Sequence, residues 1–157
     1  MDRLADLGCV GVATVSLDRF VTAQEPAYAS ALAELQAGAK QGHWMWFIFP
    51  QIVGLGLSQT AQYYAIADQD EAKAYLAHNL LGPRLIKCTQ AILAWEGKRT
   101  ALQILGETDA LKFASSMTLF EAAGGTVPFG LALDAFYNGE RDNLTLDLLE
   151  SQRKNPE

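Results

Sequence analysis

The sequence predicts an all-α fold: a single compact domain of seven or eight short helices. Three observations carry that prediction. Apolar residues recur at helical spacing from residue 17 to residue 149, glycine and proline interrupt them at short intervals, and strand-type alternation is scarce. At 157 residues, half of them hydrophobic and 19% charged, the chain has enough apolar material for one core.

The elements follow in order. Residues 1–15 read as a lead-in, because Asp2 and Asp6 spoil the basic region that a signal peptide places ahead of an apolar run. A helical domain is expected over 16–151, with 152–157 as a frayed tail. Ser16 is placed to cap a first helix bearing Leu17, Phe20 and Val21. Pro26 suits the opening turn of a second, which runs through Tyr28, Ala31, Leu32 and Leu35 to Gly38. Residues 43–49 fit either an extended run or a helical turn, and 52–57 read as a loop. Ser58 can cap a helix with Ala61, Tyr64 and Ala65, and Asp68 and Glu71 have the spacing of a capping box. Gly82-Pro83 opens a helix whose seam is Leu85, Cys88, Ile92 and Trp95, stopped by Gly97. Thr100 and Gln103 form a second capping-box pair. Beyond Gly106, Thr108 or Asp109 starts a helix through Phe120. Pro128 begins another that Asn138-Gly139 closes, and Asp142 or Asn143 caps the last.

Composition removes several functions. A net charge of −6 argues against a nucleic-acid polymer as partner, since phosphate binding needs a concentrated positive face. No run reaches the length of a membrane-spanning helix, so no membrane partner is expected. Cys9 and Cys88 stand far apart and fit a reducing cytoplasm, and with His43 and His78 they make no zinc-ligand spacing. No metal or other cofactor is implied, and the sequence sets no oligomeric state.

The chemistry concentrates in Gly42-His43-Trp44-Met45-Trp46-Phe47-Ile48-Phe49-Pro50-Gln51, which holds two of the three tryptophans. An apolar run so short, fenced by Gly42 and Pro50, is expected inside the protein. His43 beside indole would be buried and neutral, able to act as a general base or to orient a ligand stacked on Trp44 or Trp46. The competing reading is a core histidine satisfied by its neighbours. Pro50 leaves the Gln51 amide free for directed hydrogen bonds. Gly54-Leu55-Gly56-Leu57-Ser58 could present amides to an anion at a helix start, but it lacks both the P-loop and the dinucleotide pattern, and an ordinary turn is the stronger reading. A second polar group lies at Asp109 to Thr118. Asp109 and Lys112 can pair three residues apart, and Ser115, Ser116 and Thr118 either meet His43, Gln51 or a ligand, or bond back to the helix carbonyls.

These residues resemble a bacterial family of unknown function. The likeness rests on Leu17-Asp18-Arg19-Phe20-Val21 with Gln24, on Lys40 and His43 to Gln51, on Leu81-Gly82 with Arg84-Leu85, on Asp109 to Phe120, and on Asp142 with Thr145-Leu146. It spans about residues 17–149, and members are sometimes labelled "calpastatin". That label does not suit this chain, because calpastatin repeats are disordered and this sequence is rich in core residues. The resemblance implies a small helical cytoplasmic protein and no established activity. Its recurrent polar positions are Gln24, Lys40, His43, Gln51, Asp109, Lys112, Ser115 and Thr118.

The leading expectation is a pocket for a small anionic metabolite, such as a nucleotide derivative. Trp44 and Trp46 would stack, while Lys40 and Arg84 would meet charge. His43 and Asp109 would be the catalytic pair if the protein is a metal-independent hydrolase or transferase, with Gln24, Gln51, Lys112, Ser115 and Thr118 lining the pocket. The rival expectation is a non-enzymatic protein–protein interaction module whose aromatic segment is only core.

Overall fold

The structure, a computed structural model, describes residues 17–124 and 126–154. Nine helices and no strands occur among them, which makes the fold a single compact all-α domain. In chain order they are α1 (Asp18–Gln36), α2 (Met45–Ile48), α3 (Gln59–Tyr63), α4 (Gln69–Ala77), α5 (Leu81–Leu93), α6 (Ala101–Leu105), α7 (Glu107–Ala122), α8 (Thr126–Phe136) and α9 (Asn143–Lys154). No helix among the described residues is long and apolar enough to cross a membrane. The lead-in, Cys9 and the proposed Ser16 cap lie outside the described residues.

α7 is the axis of the fold. It packs on α4, α6, α8 and α9, and Ser115 to Phe120 are buried without a break. A helix covered on every side reads as a continuous run in sequence rather than as a stripe. α5 packs on α1, α4 and α8, with Leu85, Cys88 and Ile92 inside as the seam predicts. Two chains of rings cross the core. Phe20 meets Tyr75 at 5.1 Å, Tyr75 meets Phe120 at 5.2 Å, and Phe120 meets Phe129 at 5.9 Å. The other runs from Trp44 through Phe49 and Phe113 to Tyr137. Each such side chain contributes about 2–3 kcal/mol on burial.

The local signals hold with two amendments, and one open alternative is settled. Thr100 and Gln103 form the full capping box, and Ser58 and Asp68 cap α3 and α4. Pro26, however, lies inside a single 19-residue α1 rather than at the start of a second helix. Its missing N–H frees only the carbonyl of exposed Thr22, which water can satisfy, and the buried stripe of Phe20, Gln24, Ala31 and Leu35 runs straight past it. The helix at Ser58 stops at Tyr63. There Ile66 N donates to Gln51 O and Val53 N to Ile66 O, both at 2.8 Å, and this small parallel bridge pulls the chain away. The 43–49 segment resolves as one helical turn, Met45–Ile48, which packs on α1.

Candidate functional site

The aromatic turn is held from two sides, and the expected site residues divide between them. On the first side, α1 ends at Gln36 and the chain loops back beneath its own helix. Glu34 organises the loop, because its Oε1 accepts from Gln41 N at 2.8 Å, Gly42 N at 2.9 Å and Trp44 Nε1 at 2.9 Å. Burial pushes the Glu34 carboxyl up, but these donors and the Lys40 charge outweigh it and hold the group below the usual carboxylate range. Lys40 reaches Asp109 Oδ2 at 2.7 Å with its side chain only 7% exposed, and it donates to Gly42 O. Lys112 approaches the other Asp109 oxygen at 3.8 Å, the predicted pairing. The two ammonium groups lie 4.9 Å from the ring centroids of Trp44 and Trp46 respectively. Lys40, Trp44, Trp46, Asp109 and Lys112 therefore meet, although residues 40–46 and 109–112 are distant in sequence.

On the second side, Gln24 is buried and its amide is spent locally. Its Nε2 donates to Phe47 O at 2.7 Å and to the Tyr75 hydroxyl at 3.1 Å. Its Oε1 accepts from Arg84 Nη1 at 3.3 Å. The Arg84 guanidinium is stacked 4.5 Å from the centroid of Tyr28. Arg84 is half-buried, and no carboxylate among the described residues pairs with it. Burial pushes the Cys88 thiol, one turn along α5, up to about 12 despite Arg84 and Lys87. Burial also raises the Tyr28 phenol.

Four expected residues stand elsewhere or differently. His43 is exposed rather than buried, with no hydrogen-bond partner among the described residues. Trp44 takes the interior instead, at 3% exposure, because Glu34 satisfies its N–H there. Ser115 and Thr118 meet neither His43 nor Gln51. They bond back to Leu111 O and Ala114 O, and Ser115 Oγ donates to Asp142 Oδ2 while Thr118 Oγ1 accepts from Asp142 N. Asp142 caps Thr145 N, so this group seats the start of α9 on α7. The Gln51 side chain is half-buried, and it is the Gln51 carbonyl that carries the bridge to Ile66. A surface cavity of about 760 Å³ lies against Arg19, Thr22, Tyr63 and Tyr64, and none of the expected residues lines it.

Sequence reasoning gave Glu34 and Tyr75 no role at the site, and both organise it. Each acts across a fold in the chain, and an isolated glutamate or tyrosine on a helix carries no local sign of its partner.

The comparisons with known proteins agree with this architecture. The crystal structure of the conserved hypothetical protein Rv1873 from Mycobacterium tuberculosis has a TM-score of 0.83 and 49% identity, over 85% of this chain and 96% of that one. No curated protein matches the chain. A family model described as a protein of unknown function matches residues 14–149, and the chain belongs to that family, DUF1810.

Proposed function

We propose that the protein binds a small anionic metabolite, with Arg84 as the anchor. The observation that carries this reading is the state of the Arg84 guanidinium. It is oriented by Gln24 on one side and by the Tyr28 ring on the other, yet no carboxylate among the described residues neutralises it. A guanidinium fixed before the ligand arrives loses little freedom on binding, and its planar fork matches a carboxylate or phosphate. A nucleotide or sugar phosphate fits that chemistry. Gln24 couples the anchor to the aromatic turn through Phe47 O, so that turn serves the site by fixing the amide that orients the guanidinium.

Binding is favoured over hydrolysis or group transfer. His43 stands exposed with no group among the described residues to orient it, and Asp109 is engaged by two lysines, so neither resembles a poised general base.

A thermal-shift panel of nucleotides and sugar phosphates tests the reading. At least one should stabilise the wild-type protein. Arg84→Gln should weaken that ligand by roughly ten- to a hundredfold, the range of a charged hydrogen-bonded contact. Stabilisation by none, or by ligands indifferent to Arg84→Gln, would refute it.

A further inference from the structure

Charge is unevenly spread over this acidic protein. Residues 81–100 hold four of the 12 basic side chains (Arg84, Lys87, Lys98 and Arg99) and only one of the 18 acidic ones, Glu96. Elsewhere among the described residues Lys73 is unmatched too, but Arg19 pairs with Glu71, Lys40 and Lys112 with Asp109, and Arg141 with Glu121 and Asp134. Among the described residues none of the four in 81–100 lies within ion-pair distance of a carboxylate.

Three of these four line two neighbouring open grooves that share Lys98. An open groove of about 430 Å³ runs along α5, with Ala91, Ala94 and Trp95 as an apolar floor between Lys87 and Lys98. Lys98 also borders a second open groove of about 300 Å³, lined by Arg99, Gln103 and Phe136. Arg99 donates from Nη2 to Gln103 O, while its buried Nε has no partner among the described residues. Arg84 lines neither groove.

We infer that this trough docks an acidic, extended segment of a partner protein. Unmatched lysines at its borders call for carboxylates. The floor of Ala91, Ala94 and Trp95 calls for an apolar side chain between them. Gln36 and Gln90 line the same groove and make no side-chain hydrogen bond among the described residues, so they offer both donors and acceptors. Acceptors serve the N–H groups of a peptide backbone and are of no use to a phosphate. The shape agrees, because small-molecule sites enclose their ligands whereas two open grooves side by side at Lys98 suit an elongated one. Lys87 to Ala94 spans about 10 Å of helix, the reach of three residues of extended peptide.

The test is fluorescence anisotropy with a labelled decapeptide of glutamates carrying two central leucines, against its glutamine counterpart, a single-stranded RNA oligonucleotide and tripolyphosphate. The glutamate peptide should bind the wild-type protein. Lys98→Glu and exposed Ala94→Glu should each weaken it about tenfold or more through like-charge contact, with melting curves showing that both variants fold. Arg84→Gln should change it by less than about threefold, so failure of the metabolite site and failure of the trough are separable. No binding, equal binding of the glutamine peptide, affinity unchanged by both substitutions, or tighter binding of RNA or tripolyphosphate would each overturn the inference.

Discussion

At the scale of single residues, the chain spends its polar side chains on its own backbone. One Glu34 oxygen collects three N–H groups, Gln24 bonds a carbonyl, and Asp142 caps α9. Such bonds invite tests by pH. The Glu34 carboxyl is held below its ordinary value in the fold. Its stabilisation is therefore present in full above the unfolded-state pKa of about 4.3 and fades as pH falls through the lower folded value. Glu34→Gln should be less stable than wild type at neutral pH, and the gap should close as the pH drops below about 4. Urea midpoints measured across that interval check this, and a gap of constant size would contradict it. These residues were the least legible in sequence. The Asp109–Lys112 pair was legible from its spacing, whereas Lys40, expected to meet a ligand's charge, is instead taken up by Asp109. His43 drew attention through its neighbours, but an imidazole beside tryptophans in sequence need not lie beside them in space. Here the turn carries Trp44 inward and leaves His43 in solvent.

At the scale of elements, caps and glycines read well because their causes are local. The Thr100–Gln103 box and the Ser58 and Asp68 caps involve partners three residues away. Pro26 read badly because its effect depends on whether the carbonyl it orphans faces water, which only tertiary packing decides. Gly82 shows another tertiary demand. A Cβ there would fall 2.1 Å from Leu76 O, so α4 and α5 meet where only a hydrogen fits. Gly97, in contrast, has φ of +79° and nothing within 4 Å of a Cβ. Gly82→Ala should cost about 2 kcal/mol by forcing backbone apart, and lower the melting temperature by roughly 6 °C. Gly97→Ala carries only left-handed strain of about 1 kcal/mol. Calorimetric melting of the pair should rank them in that order, and the reverse order would mean that the α4–α5 contact yields easily.

At the scale of the whole molecule, the all-α architecture was legible because helical periodicity persists from end to end. The central place of α7 follows from its unbroken buried run, a pattern open to reading once continuous burial is allowed for a helix. The distribution of function was harder to see. A pocket gathered around one motif was expected, whereas the polar groups divide among the Lys40–Asp109 cluster, the Arg84 anchor and the seat of α9. Segregation of that kind arises from how helices are stacked, and no spacing in the chain encodes it.

The placing of lysines around the indoles gives the protein an optical signature. Trp44 is sealed in the interior, whereas Trp46 and Trp95 are half-exposed, the one beneath Lys112 and the other in a groove with Lys87 and Lys98. Iodide should gather at those cations and darken the emission of the two outer rings, while caesium is repelled and quenches less. Stern–Volmer plots with iodide should bend downward toward a residue of shielded light from Trp44. Straight plots of equal slope for both ions would mean that the lysines lie elsewhere in solution.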